Sequence, residues 1–323
     1  MFKGKKSKKS KDKEIKKEIN TWRGAMELNY PEFKEYYEAN KSKVDDKNDP
    51  DVFGPLQLAC ASNKFKVVKL LLEDENVDPQ LKRTPYVDPI IVMMLWGVQS
   101  GSKKATKIFE YLLEHPRVDV NALDNSGKTP FQRACSLNHK PIIEKFISNP
   151  RVNLSVLDHG QSPMFQACAN GWIATFEALI ECDKIEVELP EPETNATPFY
   201  IACEKGHLGP VQTLIKHPKV NVNIMNIFSS TPLYVACQNG MTEIVKVLLD
   251  DERVDISLSR INGMTPFMIS CFYGHNSIVE LFLSSGRDLQ INKIVDGKTA
   301  LDLAKEKGHT ETVELLQTYL NSK

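Results

Sequence analysis

One short pattern recurs along this chain at nearly constant spacing, and it constrains the fold more than any other feature. The pattern is Thr-Pro, a hydrophobic residue, two further residues and Ala-Cys, followed by Gly-His and an amphipathic segment that ends in Leu-Leu. Its clearest copy is residues 231–249. The copies open at Pro55, Pro89, Pro130, Pro163, Pro198, Pro232 and Pro266, with Ala300 in the eighth place. The intervals of 34, 41, 33, 35, 34, 34 and 34 residues indicate stacked repeat units.

Each copy predicts a turn, a short helix, a break and a second helix. Thr is a favourable N-cap, and Pro is tolerated in the first helical turn because its missing N–H would be unsatisfied there anyway. A Gly or Asn then ends the short helix. One such unit cannot bury its own apolar face, so neighbouring units must stack to form a core.

The Thr-Pro motif and the period of about 33 residues resemble the ankyrin repeat. The resemblance covers residues 51–323 in eight copies, and Ala25, 34 residues before Ala59, indicates a degenerate earlier unit. It implies an all-α ankyrin-repeat solenoid of helix–turn–helix units with β-turn fingers. The chain departs from the family where a His normally follows Thr-Pro-Leu, so the hydrogen bond of that His is not implied here. The residues in its place are Gln57, Gln132, Phe165, Tyr200, Tyr234, Met268 and Asp302.

We therefore expect a disordered lysine-rich tail over residues 1–19 and an ankyrin-repeat domain over residues 20–323. Within that domain, residues 20–50 form a degenerate capping unit, residues 51–298 the repeats and residues 299–323 a C-terminal cap. The 41-residue interval holds about seven extra residues around 97–106. We place them in a longer loop between the two helices of that unit.

Charge is distributed unevenly between the tail and the domain. The net charge is −1, yet residues 1–19 carry nine lysines against three acids, which leaves −7 for residues 20–323. The lysine run has no apolar segment behind it, unlike a secretory signal, and no stretch is apolar enough to span a membrane. We expect an intracellular protein with reduced cysteines, in the cytoplasm or, because of the lysine run, in the nucleus.

The cysteines and histidines follow the repeat and do not form a catalytic constellation. Six cysteines share the position after the motif Ala in stacked repeats, whose packed helices lie about 8–10 Å apart, too far for disulfides or zinc ligation. They are Cys60, Cys135, Cys168, Cys203, Cys237 and Cys271. Cys182 lies outside the pattern and is the one candidate for a reactive thiol. We therefore expect no enzymatic activity, no cofactor, no metal and no small-molecule substrate.

The resemblance implies that a partner protein binds to the finger tips and to the exposed side of the short helices, the concave face. In the sixth and seventh clear units these positions become apolar and would form a contiguous patch, typical of a binding hot spot. We predict partner binding by Ile227, Phe228, Ile261, Met264, Phe272 and Tyr273. Alternatively, these side chains pack on neighbouring turns or are covered by the lysine tail.

The expected function is a non-catalytic scaffold or adaptor that binds another protein and is monomeric by itself. The alternative is a peripheral anchor, or a binder of nucleic acid or other anionic surfaces, that acts through the lysine tail. Nucleic acid is disfavoured because the tail lacks arginines and interleaved aromatics and the domain is acidic. Residues 181–193 contain six acids and are expected to project negative charge, either to attract a basic segment or as a solvated loop.

Overall fold

The structure, a computed structural model, describes residues 21–46, 52–81 and 86–322. The lysine-rich tail of residues 1–19 lies outside the described residues. Over the described residues the fold is all-α, with two isolated β-bridges, Asp158–Gln161 and Val295–Lys298, and no extended strand. The predicted fold class is confirmed. The chain divides into two compact units, residues 1–153 and residues 154–323.

The described residues of the first unit contain four helical pairs. They are α1 (Trp22–Ala25) with α2 (Tyr30–Asn40), α3 (Pro55–Ala61) with α4 (Phe65–Glu73), α5 (Ile90–Gln99) with α6 (Lys103–Glu114), and α7 (Pro130–Ser136) with α8 (Lys140–Ser148). A 3-10 turn, Lys41–Lys43, follows α2. Helix α1 packs on α3 and α2 packs on α4, which is the packing expected of a first repeat.

Residues 154–322 of the second unit contain five helical pairs. They are α9 (Pro163–Asn170) with α10 (Ile173–Ile180), α11 (Pro198–Lys205) with α12 (Leu208–Leu214), α13 (Pro232–Gln238) with α14 (Thr242–Leu249), α15 (Pro266–Tyr273) with α16 (Asn276–Ser284), and α17 (Ala300–Lys307) with α18 (Thr310–Asn321). The first helix of each pair packs on the first helix of the next, from α9 through α17.

The Thr-Pro motif starts the short helices as predicted. In α13, for example, the Thr231 side chain accepts a hydrogen bond from the backbone N–H of Tyr234, and Pro232 occupies the first turn. The following apolar residues then face the core: Phe267 of α15 and Phe282 of α16 are fully buried, with ring centroids 5.6 Å apart. A local capping signal thus fixes which residues of each repeat enter the core.

The extra residues of the 41-residue interval lengthen two helices, so the predicted longer loop is wrong. Helix α5 has ten residues and α6 has twelve, and only residues 100–102 connect them. The helix continues through Gly97 to Gln99, and most of the apolar run Ile90–Val98 is buried. Gly97 permits the close approach of α6, because a Cβ there would lie 2.7 Å from Ala105 Cβ.

A polar cluster ties α2 to the end of α4. The Tyr37 hydroxyl donates to Asp74 Oδ2, and Lys41 Nζ lies 2.6 Å from the same oxygen. Burial alone would raise the pKa of Asp74, but the hydrogen bonds from Lys41 and Tyr37 hold that pKa well below its usual range. The carboxylate is therefore ionised at neutral pH and binds two residues that lie 37 and 33 positions before it in sequence.

Candidate partner-binding surface

Every finger of the second unit is built around one residue whose backbone N–H closes the turn. These residues and the carbonyls that accept from them are Asp158 to Gln161, Glu191 to Ala196, Asn226 to Ser230, Arg260 to Met264, and Val295 to Lys298. We call them the finger-base residues. Since they all close a turn before a short helix, the tips between them occupy equivalent places in successive repeats.

In two of these fingers the side chain of the finger-base residue also orders the tip. Asn226 Oδ1 accepts hydrogen bonds from the backbone N–H groups of Phe228, at 2.9 Å, and Ser230, at 3.0 Å. Glu191 accepts from Glu193 and Thr194 in the same way. With their backbones held by the finger base, the tip side chains are free to face solvent.

Two adjacent fingers present apolar tips. The exposed fractions of Ile227, Phe228 and Ile261 are 55%, 46% and 76%, and Met264 is half-buried beside them. We call these four residues the finger cluster. The backbone N–H of Ile261 donates to the carbonyl of Phe228 at 3.2 Å, so the two fingers are joined through the cluster. Exposed apolar side chains concentrated in this way are uncommon on soluble surfaces that bind nothing.

Phe272 and Tyr273 form a separate group, the helix-end pair, at the end of α15. Their ring centroids lie 5.0 Å apart at an interplanar angle of 86°. Tyr273 is exposed, whereas Phe272 is half-buried and has Lys307 Nζ 4.6 Å from its ring centroid. Met264 precedes α15 and Tyr273 ends it, about 13 Å of helical rise away. The six predicted residues thus lie in two groups at opposite ends of α15, and a single contiguous patch remains a prediction.

Sequence reasoning missed Arg260, although the signal was visible. The other finger-base residues up to this point are Asp158, Glu191 and Asn226, which all offer an oxygen acceptor. Arg260, the finger-base residue of the finger that carries Ile261, offers hydrogen-bond donors and no acceptor. Its guanidinium carbon lies 5.4 Å from the ring centroid of Phe228.

The acidic segment 181–193 does not project all of its charge. Glu181, Asp183, Glu186 and Glu193 are exposed, but Glu191 is buried as a finger base and Glu188 turns inward. Glu188 Oε1 accepts from the backbone N–H of Phe199 at 3.2 Å, and Oε2 is buried, with the Thr197 side chain near the carboxylate. Burial raises the pKa of Glu188 to about 7. The expectation of a fully projecting acidic turn is therefore corrected for these two residues.

The cysteines and histidines have structural surroundings. The six repeat cysteines are buried and unbridged, and burial raises the pKa of the Cys60 and Cys237 thiols to about 12. His159 Nδ1 lies 2.8 Å from Asp158 Oδ1, whose other carboxylate oxygen accepts from Gln166. Within the described ranges, no group of three or more His, Cys, Asp or Glu side chains could hold a metal ion. Nor is any helix of those ranges long and apolar enough to cross a membrane.

The stacked helical pairs and the ordered finger tips define a helical repeat protein. The family described as "Ankyrin repeats (3 copies)" matches the chain in five overlapping stretches, at residues 95–191, 136–226, 164–260, 199–293 and 233–323. The chain belongs to this ankyrin-repeat family. Ankyrin repeats are generally protein–protein interaction modules and are typically non-enzymatic. A comparison with curated proteins finds no match to the chain.

Proposed function

We propose that this protein is a non-catalytic scaffold or adaptor that binds another protein through the finger cluster, with the helix-end pair as a second contact. One observation carries the proposal: Ile227, Phe228 and Ile261 are large apolar side chains, 46–76% exposed, on two adjacent and hydrogen-bonded fingers. The general role of ankyrin repeats in protein–protein interaction supports the same conclusion.

The finger cluster has the physical properties of a binding hot spot. Burying apolar surface contributes roughly 25 cal/mol per Å², so a few such side chains can supply most of the binding free energy. The backbones of the tips are already fixed by Asn226 and by the hydrogen bond between Ile261 and Phe228. Because the tips are ordered before a partner arrives, little conformational entropy is lost on binding.

The proposal is tested by affinity capture with mass spectrometry from the cells that produce the protein. The baits are the wild type, Phe228→Ser/Ile261→Ser, Phe272→Ala/Tyr273→Ala and a chain lacking residues 1–19. A matched control is Leu123→Ser, which changes an exposed leucine, 53% accessible, on a finger of the first unit. The deletion tests the alternative that the lysine tail acts as an anchor.

The proposal expects a protein that is retained by the wild type, the deletion and Leu123→Ser, and lost by Phe228→Ser/Ile261→Ser. The Phe272→Ala/Tyr273→Ala bait should weaken the same capture. If instead only the deletion abolishes capture, the tail is the binding element and the proposal is wrong. Thermal unfolding of each variant checks that any loss of capture does not arise from loss of folding.

A further inference from the structure

Arg260 is a finger-base residue whose side chain cannot accept hydrogen bonds from the backbone of its own tip. The finger-base residues Glu191 and Asn226 use side-chain oxygens to accept the N–H groups of their own tips. A guanidinium group has five donors and no acceptor. In this finger Asn262 Oδ1 accepts from the backbone N–H of Met264 instead, at 3.2 Å. The Arg260 side chain is therefore not needed to order this turn and can contact other groups.

The Arg260 side chain extends back toward the preceding repeat and lies against aromatic rings. Its guanidinium carbon lies 5.4 Å from the ring centroid of Phe228 and 6.0 Å from that of Tyr234. Among the described residues, no Asp or Glu carboxylate forms an ion pair with it. The side chain is half-buried, so part of the cation is exposed beside the finger cluster.

Two polar atoms at this point are buried and have no partner other than each other. Arg260 Nε and the hydroxyl of Tyr234 interact weakly, Tyr234 is only 1% exposed, and the guanidinium opposes the rise in the pKa of Tyr234 that burial causes. In the preceding repeat the equivalent pair is satisfied, because Asn226 Nδ2 donates to the hydroxyl of Tyr200 at 3.1 Å. Poorly paired buried polar groups are rare in folded proteins, and an acceptor from a partner would complete the pairing of this guanidinium.

The surrounding charge defines what kind of partner group fits. Residues 154–323 contain 13 Lys and Arg side chains against 21 Asp and Glu side chains, a net −8. A strongly acidic partner would be repelled by this unit at long range, whereas one carboxylate held against Arg260 would gain a charge-assisted hydrogen bond. Phe228 and Ile261 beside the guanidinium favour apolar neighbours for that carboxylate.

We propose that Arg260 binds a single Asp or Glu side chain of the partner protein, within a segment whose adjacent apolar residues cover Phe228 and Ile261. This inference rests on the proposed function, since it specifies the chemistry of the partner at the same surface. Arg260 supplies orientation and selectivity, and the finger cluster supplies the buried apolar area. The Tyr234 ring forms the wall against which the guanidinium is held.

The test uses the full chain and a random peptide library displayed on phage as the probe. The most enriched peptide is synthesised with its acidic residue intact and with that residue changed to the matching amide, and the Kd of each is measured by fluorescence polarisation. We expect enrichment of one Asp or Glu flanked by apolar residues. The amide peptide should bind the wild type about tenfold more weakly, as for the loss of a hydrogen bond between charged groups.

The same two peptides are then compared on Arg260→Gln and on the control Lys298→Gln, which removes a positive charge from the next finger. The inference expects a difference of less than about twofold between the peptides on Arg260→Gln and the full tenfold on Lys298→Gln. The peptide change on the wild type needs no protein variant, so the test stands even if Arg260→Gln is destabilised.

Three results would overturn the inference. Selected peptides without an acidic residue, or an amide effect that is unchanged on Arg260→Gln, would show that Arg260 binds no carboxylate. Displacement of the peptide by inorganic phosphate at low millimolar concentration would assign the site to a phosphate group instead. In each of these cases, loss of binding by Phe228→Ser/Ile261→Ser would leave the proposed function intact. If Phe228→Ser/Ile261→Ser leaves peptide binding unchanged, both the inference about Arg260 and the proposed function are wrong.

Discussion

His309 Nε2 lies 3.0 Å from the carbonyl oxygen of Phe272, so the histidine that precedes α18 is hydrogen-bonded to the end of α15 in the preceding repeat. Two further histidines repeat this contact within the second unit, His275 with Gln238 at 3.2 Å and His207 with Ala169 at 3.4 Å. Each satisfies a carbonyl at the end of a short helix, where no intrahelical donor is available. The histidines of the repeat thus join successive units.

A glycine of the preceding repeat lies against the ring of each of these histidines. Gly274 has a φ of +69°, and a Cβ there would lie 2.4 Å from His309 Nδ1. We predict that His309→Ala lowers the free energy of unfolding by about 1 kcal/mol through the lost hydrogen bond. Gly274→Ala should lower it by more, because a left-handed backbone and a clash both oppose the new methyl group.

Urea unfolding of the two single variants and the double variant checks this relationship. Removing the ring removes the clash, so Gly274→Ala should cost less in the His309→Ala background than in the wild type. Equal costs in both backgrounds would contradict the packing of His309 on Gly274.

A second prediction concerns the close contact between α5 and α6. Gly97→Ala should destabilise the protein, because the new Cβ would lie 2.7 Å from Ala105 Cβ and the helices would have to separate. We expect a loss of about 1–3 kcal/mol in urea unfolding. The control is Gly209→Ala in α12, where the nearest side-chain atom is 4.0 Å away. That change should alter stability by less than about 0.5 kcal/mol, because Gly209 is exposed near the start of α12, and an equal effect of the two changes would refute the account.

The buried carboxyl of Glu188 predicts a pH dependence of stability. Burial raises its pKa to about 7 in the folded state, whereas the unfolded value is near 4.5. The folded state therefore binds the proton more tightly, and its contribution to stability is present below about pH 4.5 and is lost as the pH rises through about 7. Glu188→Gln should flatten the pH dependence of the unfolding free energy between pH 5 and 8. A profile identical to that of the wild type would show that Glu188 titrates normally.

Thiol accessibility supplies a further test. Cys182 is the only cysteine that is not buried, whereas the other six are buried among apolar neighbours. We predict that one thiol of the native protein reacts rapidly with an aromatic disulfide reagent and that Cys182→Ser abolishes the fast phase. Fast reaction of two or more thiols in native protein would contradict the burial of the repeat cysteines.

Features fixed by local chemistry were predictable from the sequence. Thr231 and Pro232 start α13 as expected, because capping and the fixed φ of proline depend only on neighbouring residues. The shared position of the six cysteines predicted their burial for a similar reason, since equivalent residues of stacked repeats face the same core. These signals gave the fold class and the place of the fingers.

Features decided by side-chain contacts in the folded structure were not predictable. The extra residues after Pro89 could lengthen either a loop or two helices. They lengthen the helices, which pack closely where Gly97 meets Ala105. Glu188 looked like any other acid of its segment, but it accepts a hydrogen bond from Phe199 eleven residues later. The use of Arg260 depends on Asn262 replacing it as the acceptor in the turn.

The most direct test of the central claim, that the finger cluster binds the partner, is photocrosslinking in the source cells. A photoreactive amino acid replaces Ile261, which is 76% exposed, or Glu243, which is exposed on α14 outside the finger cluster. Our account predicts a discrete covalent adduct with another protein from position 261 and none from position 243. An adduct from position 243 alone, or equal adducts from both positions, would contradict it.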